Sequence, residues 1–133
     1  MSKIRVIHEN QRETEVASGA MIRVTGVSGT LTGAEGIHLA LSTVPPAAHA
    51  SAHVHTNCES ALYVLSGGGY LLTGADLAES LRFGLGDFIY VPPDAPHEMV
   101  NDSSDTPIVL VVARNAPEEI TVPYVVPGRA GAT

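Results

Sequence analysis

The feature that most constrains this fold is a series of short apolar runs, rich in Val, Ile, Leu and Thr, that recur at close spacing. Gly- and Pro-rich turns separate them, a pattern typical of an all-β sandwich or barrel. Helical periodicity is weak, and residues 74–81 fit a hairpin tip at least as well as a helical turn. The runs cover residues 4–7, 21–27, 36–44, 60–67, 70–74, 81–84, 87–91, 97–101 and 107–113.

Composition narrows the classes of function. The chain has 133 residues and a formal net charge of −7, which argues against nucleic acid or an anionic membrane surface as a partner. No apolar run approaches the roughly 20 residues needed to cross a bilayer. The N-terminus lacks the apolar core of a signal peptide, and the single cysteine cannot form an internal disulfide. We therefore expect a cytoplasmic protein.

The stretch HASAHVHTNCES, residues 49–60, concentrates side chains that bind transition metals. Side chains alternate faces along a strand, so His53 and His55 point the same way, roughly 7 Å apart. Glu59 follows at another even step and is a candidate carboxylate ligand, whereas Cys58 faces away from it. A pair of histidines alone is weak support for a metal site, because such short motifs often arise by chance.

A second segment, GDFIYVPPDAPHEMVN at residues 86–101, predicts a strand, a proline turn and another strand. Pro92 and Pro93 lack backbone donors, so the chain must leave the sheet there. His97 begins the next strand and is positioned to add a third imidazole to His53 and His55. Three imidazoles and a carboxylate suit Fe(II), Mn(II), Ni(II), Cu(II) or Zn(II).

Together these segments resemble the two signature motifs of the cupin superfamily. The first motif is matched by His53, His55, Glu59 and Gly67, and the second by Gly86, Pro92, Asp94, His97 and Asn101. Asp94 stands where the motif has glycine, which is tolerable because Asp accepts left-handed turn geometry. The glycine that normally precedes the first histidine pair is missing.

The resemblance implies one double-stranded β-helix (jelly-roll) barrel over residues 1–133. Its N-terminal strands would occupy 1–45, the core barrel 46–113 and a C-terminal extension 114–133. It also implies that His53, His55, Glu59 and His97 bind one divalent transition metal of unspecified identity. Strand parity adds Tyr63, on the face of Glu59, as a candidate proton donor. His49 lies in the proline-containing loop, where strand parity does not apply, and is a candidate base at the pocket rim.

Two functions remain open on the sequence. The first is a metalloenzyme for a small oxygenated substrate, with dioxygenase-type chemistry or isomerase or decarboxylase-type chemistry. The second is a non-catalytic cupin that binds or senses a small molecule. In either case we expect a homodimer, with the apolar runs at 4–7 and 21–27 as candidate interface strands.

Overall fold

The computed structural model describes residues 3–128, which form two antiparallel sheets of a jelly-roll barrel, as the sequence predicts. One short α-helix, α1 (Gly29–Thr32), and a 3-10 turn at Glu9–Gln11 accompany the strands. In chain order the strands are β1 (Glu13–Val16), β2 (Ile22–Val27), β3 (His38–Val44), β4 (His53–His55), β5 (Ser60–Ser66), β6 (Gly69–Thr73), β7 (Glu79–Phe83), β8 (Phe88–Val91), β9 (His97–Val100), β10 (Ile108–Arg114) and β11 (Thr121–Pro123).

The larger sheet has the strand order β1-β2-β3-β10-β5-β8, and the smaller sheet has the order β11-β4-β9-β6-β7. Non-consecutive neighbours such as β3 and β10 bring distant parts of the chain together. Val44 pairs with Ile108 at one end of this ladder and His38 pairs with Arg114 at the other. The two sheets pack face to face, as antiparallel sheets with apolar inner faces must.

The barrel interior changes character along its length. Alternate side chains of β3, β5 and β10 point inward, and at one end they are aliphatic and fully buried: Val44, Val64 and Ile108. At the other end the inward positions hold polar groups, His38, Ser60 and Arg114. The aliphatic end supplies the apolar core. The polar end is therefore the part of the interior where a functional site is expected.

The edges of the sheets differ from the prediction. Residues 4–7 form no strand, although their sequence is apolar, and β1 comes instead from Glu13–Val16, a polar stretch between the first two predicted runs. Glu15 of β1 pairs with Arg23 of β2, with the carboxylate oxygen 2.6 Å from Nη2. The C-terminal extension contributes β11, which pairs with β4 and so reaches the polar end of the barrel.

The residues of the second motif have structural roles at the proline turn. Asp94 adopts φ +61°, which confirms that aspartate replaces glycine in a left-handed conformation. Its N–H donates to the carbonyl of His55 at 2.9 Å and ties the turn to β4. The buried amide of Asn101 donates to three backbone carbonyls, those of Val44, Pro45 and Thr106. Both residues therefore help to fix the strand that carries His97.

Neither helix within residues 3–128 combines the length and the apolar composition that a transmembrane span requires.

Candidate metal centre

Three histidines meet inside the polar end of the barrel. His53 and His55 lie on the inner face of β4, and His97 faces His53 across the β4–β9 pairing. One ring nitrogen of each falls within 4.8 Å of those of the other two. The ring centroids are 4.3 Å apart for His53 and His97 and 4.8 Å apart for His53 and His55. The structure thus brings together three of the four residues predicted as ligands.

Each imidazole is oriented through its Nδ1 atom. The Nδ1–H of His53 donates to the carbonyl of Ser51 at 2.6 Å, and that of His97 donates to the carbonyl of Ala95 at 2.9 Å. Nδ1 of His55 lies 3.2 Å from the hydroxyl of Thr121 and 3.4 Å from a carboxylate oxygen of Glu119. Because a carbonyl can only accept, the first two rings carry the proton on Nδ1 and leave the Nε2 lone pair for a ligand.

The surroundings keep these rings neutral. Burial lowers the pKa of His55 to about 3, with a further contribution from the charge of Arg114. Burial and the neighbouring His53 lower the pKa of His97 to about 4, and burial lowers the pKa of His53 as well. At neutral pH all three are neutral imidazoles, which is the form that binds a metal.

The structure does not place Glu59, the predicted carboxylate ligand, with the three histidines. Glu59 is exposed and lines an outer groove, and its N–H donates to the side chain of Asn115 at 2.9 Å. The bend at residues 56–57 breaks strand parity between His55 and β5. Ser60 is therefore the inward residue, buried beside the histidines.

The two predicted proton carriers also lie away from the histidine cavity. Tyr63 is on the outer face of β5, where its ring stacks on Phe88 with centroids 4.8 Å apart. The side chain of His49 is 60% exposed, and its Nδ1 lies 3.0 Å from a carboxylate oxygen of Glu98, which points outward from β9. Neither side chain lines the histidine cavity, so the structure does not bring these two residues together with the histidines, and their catalytic roles stay predictions.

A buried ionic cluster that no sequence motif predicts lies beside the histidines. Glu119 comes from the segment that precedes β11, and its carboxylate contacts Arg23 and lies 2.7 Å from Nε of Arg114. The side chains of Glu119 and Arg114 are 10% and 8% exposed. Burial lowers the pKa of Arg114 to about 10, so it remains charged at neutral pH. No motif marks these residues, because they meet only through the pairing of β11 with β4.

Two spaces meet at His53. The histidine cavity is an interior space of about 40 Å³ whose polar lining is His53, His55, His97, Ser42, Ser60 and Arg114. The mouth groove is an open space of about 480 Å³, lined by residues 17–19, Arg23, residues 51–53, Glu119, Thr121 and Pro123. Only the groove has the size usual for a small-molecule site. His53 lines both spaces, and the cavity by itself has room for only a small group.

The donor set fits a divalent transition metal. Three neutral imidazoles with a common focus suit Zn, Cu, Fe and Ni, and three protein ligands leave coordination positions open, as in catalytic zinc sites. The contacts at Nδ1 resemble the outer hydrogen bonds that usually orient metal-binding histidines. His53, His55 and His97 are the residues that would hold the ion.

Comparison with known sequences agrees with this geometry. The sequence model of the family described as "Cupin domain" matches residues 40–114, which is more than half of the chain. The chain belongs to the cupin family. No curated protein matches the sequence significantly.

Solved structures of cupin enzymes share the fold. A polyketide cyclase from Streptomyces resistomycificus is 24% identical, with a TM-score of 0.70 over 92% of this chain and 88% of the cyclase. A Bacillus subtilis oxalate decarboxylase variant is 25% identical, with a TM-score of 0.67 over 82% of this chain but only 29% of the decarboxylase. This cupin thus corresponds to less than a third of the decarboxylase and to most of the cyclase.

Proposed function

We propose that this cupin is a metal-dependent enzyme of the isomerase or lyase type that acts on a small oxygenated molecule. The observation that carries the proposal is the buried group of three oriented, neutral histidines beside an open groove. The likeness to the oxalate decarboxylase, a lyase by name, supports the same class. A divalent ion at this position would act as a Lewis acid on a carbonyl or carboxylate oxygen.

The absence of Glu59 from the group favours this chemistry over dioxygenation. Non-haem iron oxygenases typically use two histidines and one carboxylate, whereas three neutral histidines leave the full charge of the ion to polarise the substrate. The lining of the histidine cavity within residues 3–128 contains no carboxylate. Outside the cavity, Glu119 lines the mouth groove, and its carboxylate lies 3.4 Å from Nδ1 of His55.

Turnover tests this proposal directly. We expect the protein loaded with Fe(II), Mn(II), Ni(II) or Zn(II) to consume at least one compound among keto acids, diketones, catechols and sugar-derived acids. Product analysis by mass spectrometry would show isomerisation or loss of a small fragment, and oxygen uptake would remain at background. His53→Ala, given the same metal, serves as the inactive control.

One observation favours the alternative of a binding or sensing cupin. The histidine cavity holds only about 40 Å³, and several apolar side chains, including Leu62, Leu71 and Met99, complete its wall. Such a cavity can hold a ligand without turnover. Tight binding by the same compounds, with each recovered unchanged under every metal, would replace the enzyme by this alternative.

We also propose that the cupin is a homodimer formed through the outer face of the larger sheet. Paired residues Val24, Leu41, Val111, Tyr63 and Phe88 make an apolar row across five strands. No strand of this sheet presents a charged side chain on that face. A contiguous apolar face of this kind is typical of a protein interface, and an uncharged face suits a second copy of itself.

Phe88→Glu tests the dimer, because the side chain is 81% exposed and its replacement leaves the barrel core intact. We expect sedimentation to give twice the chain mass of 13.8 kDa for the wild type and a single chain mass for the variant. Leu85→Glu is the matched control, since Leu85 is 71% exposed but lies in the turn before β8, off the apolar face. A monomeric wild type would contradict the proposal.

A further inference from the structure

A row of three polar side chains crosses the inner face of the larger sheet beside the metal centre. Arg114 on β10 pairs with His38 on β3 and with Ser60 on β5, so the three are neighbours across adjacent strands. Among residues 3–128, no hydrogen-bond partner is present for Nδ1 of His38, Oγ of Ser60, Nε and Nη1 of Arg114, or Oε2 of Glu119. Buried donors without partners are costly, so a cluster of them indicates a polar ligand.

Arg114 shares its acidic partner, Glu119, with a second arginine. Its Nε lies 2.7 Å from Glu119, but in the geometry of an ion pair without a hydrogen bond. The same carboxylate also contacts Arg23, so two guanidinium groups share one buried acid. The second acid of the cluster, Glu15, contacts Arg23 alone and is half exposed. A buried cation with spare donors is stabilised by an additional anion.

The guanidinium of Arg114 and the three histidines face the same cavity. Arg114 and Ser60 both line the histidine cavity, and Arg114 is its only charged lining residue within the described chain. The histidines themselves are neutral and contribute no negative charge. A metal ion and a guanidinium facing one small cavity together favour an anionic occupant.

We infer that Arg114 and Ser60 form a carboxylate-binding subsite opposite the histidines, so that the substrate is a small carboxylic acid. The planar guanidinium offers Nη1–H, and the hydroxyl of Ser60 offers a second donor, a combination suited to the two oxygens of a carboxylate. The cavity of about 40 Å³ favours a carboxylate over a larger oxyanion such as phosphate. The inference rests on the proposed function only in placing the other end of the substrate at a metal.

Acetate and its neutral isostere acetamide are the probes. The thermal unfolding midpoint of the full-length protein is measured against their concentration at constant ionic strength, both as purified and after metal removal by dialysis against EDTA. A ligand that binds only the folded state raises the midpoint, and the shift grows with the ratio of the ligand concentration to its dissociation constant. We expect acetate, but not acetamide, to stabilise the wild type in both preparations.

Three variants locate the effect. Ser60→Ala removes a hydroxyl that has no partner among residues 3–128, so we expect an intact fold and an acetate affinity about fivefold weaker. Arg114→Gln should weaken it about tenfold or more, because the lost hydrogen bond is charge-assisted. If Arg114→Gln does not fold, Arg114→Lys takes its place. The lysine keeps a positive charge beside Glu119 and should retain part of the acetate affinity. Arg82→Gln is the control, since Arg82 is exposed and pairs with Asp102.

The results of these experiments distinguish failure of the carboxylate subsite from failure of the proposed metal-dependent function. Equal acetate affinity in the wild type, Ser60→Ala and Arg114→Lys overturns the subsite, whatever the metal content. If the protein binds a divalent metal but the acetate affinities are equal, the proposed function is retained and only the subsite is rejected. Acetate binding that depends on residues 60 and 114, in a protein that takes up no divalent metal, supports the subsite and overturns the proposed function.

Discussion

Replacement of His97 by alanine is expected to weaken metal binding at least about 100-fold while the barrel remains folded. His97 supplies one of only three nitrogens in the group, and the residual pair His53 and His55 comes from a single short strand. The aliphatic end of the barrel, built on residues such as Val64 and Ile108, carries stability independently of the site. Elemental analysis after metal loading and gel filtration gives the metal content per chain.

His8→Ala is the matched control, because His8 is exposed and lies at the N-terminus, outside the group. It should bind metal like the wild type, and circular dichroism should show an unchanged β-sheet spectrum for both variants. His53→Ala should repeat the loss seen with His97→Ala. If either variant retained the metal content of the wild type, the assignment of that histidine as a ligand would be wrong.

The histidines could be predicted from the sequence because each depends on a local rule. His53 and His55 share a face in any extended strand, and Pro92 and Pro93 force the turn that returns the chain at His97. The left-handed conformation of Asp94 could be predicted in the same way, because it depends only on the backbone of that residue. Local rules of this kind hold whatever the rest of the chain does.

Glu59 and Tyr63 show where parity fails. The bend at 56–57 is tied to a distant segment, because the side chain of Asn57 bonds to the backbone of Glu118 and Ile120. Parity counted through that bend assigns the wrong face to Glu59. The run at 60–66 is apolar on both faces, since one covers the core and the other forms the outer apolar face. Its hydrophobic pattern therefore cannot reveal which residues point inward.

Arg114 and Glu119 illustrate a second limit. Both are charged residues near the end of the chain, and on composition they would be assigned to the surface. Their burial depends on β11 pairing with β4, a contact between residues 121–123 and 53–55 that no local pattern encodes. The long-range pairing decides which acid approaches His55, and so Glu119 takes a position near the metal centre that the motif suggests for Glu59.

Gly67→Ala is expected to have the largest effect on stability, lowering the free energy of unfolding by at least about 3 kcal/mol. Gly67 follows β5 with φ +74°, a conformation that costs alanine about 1–2 kcal/mol. A Cβ atom there would also lie 2.2 Å from the carbonyl oxygen of Pro107, which is backbone and cannot move aside cheaply. Urea denaturation of the metal-free protein measures the loss.

Gly33→Ala separates the two causes. Gly33 has nearly the same φ, +75°, but a Cβ atom there meets nothing within 4 Å, so only the conformational cost of about 1–2 kcal/mol should appear. Gly69 is the converse case, since its φ is not positive but its Cβ would lie 2.2 Å from the carbonyl oxygen of Val100. If Gly67→Ala cost no more than Gly33→Ala, close packing of the 67–69 turn against Pro107 would not explain why the motif has glycine here. The larger loss that we expect would instead assign the motif glycine to the close approach between the end of β5 and the backbone at Pro107, just before β10.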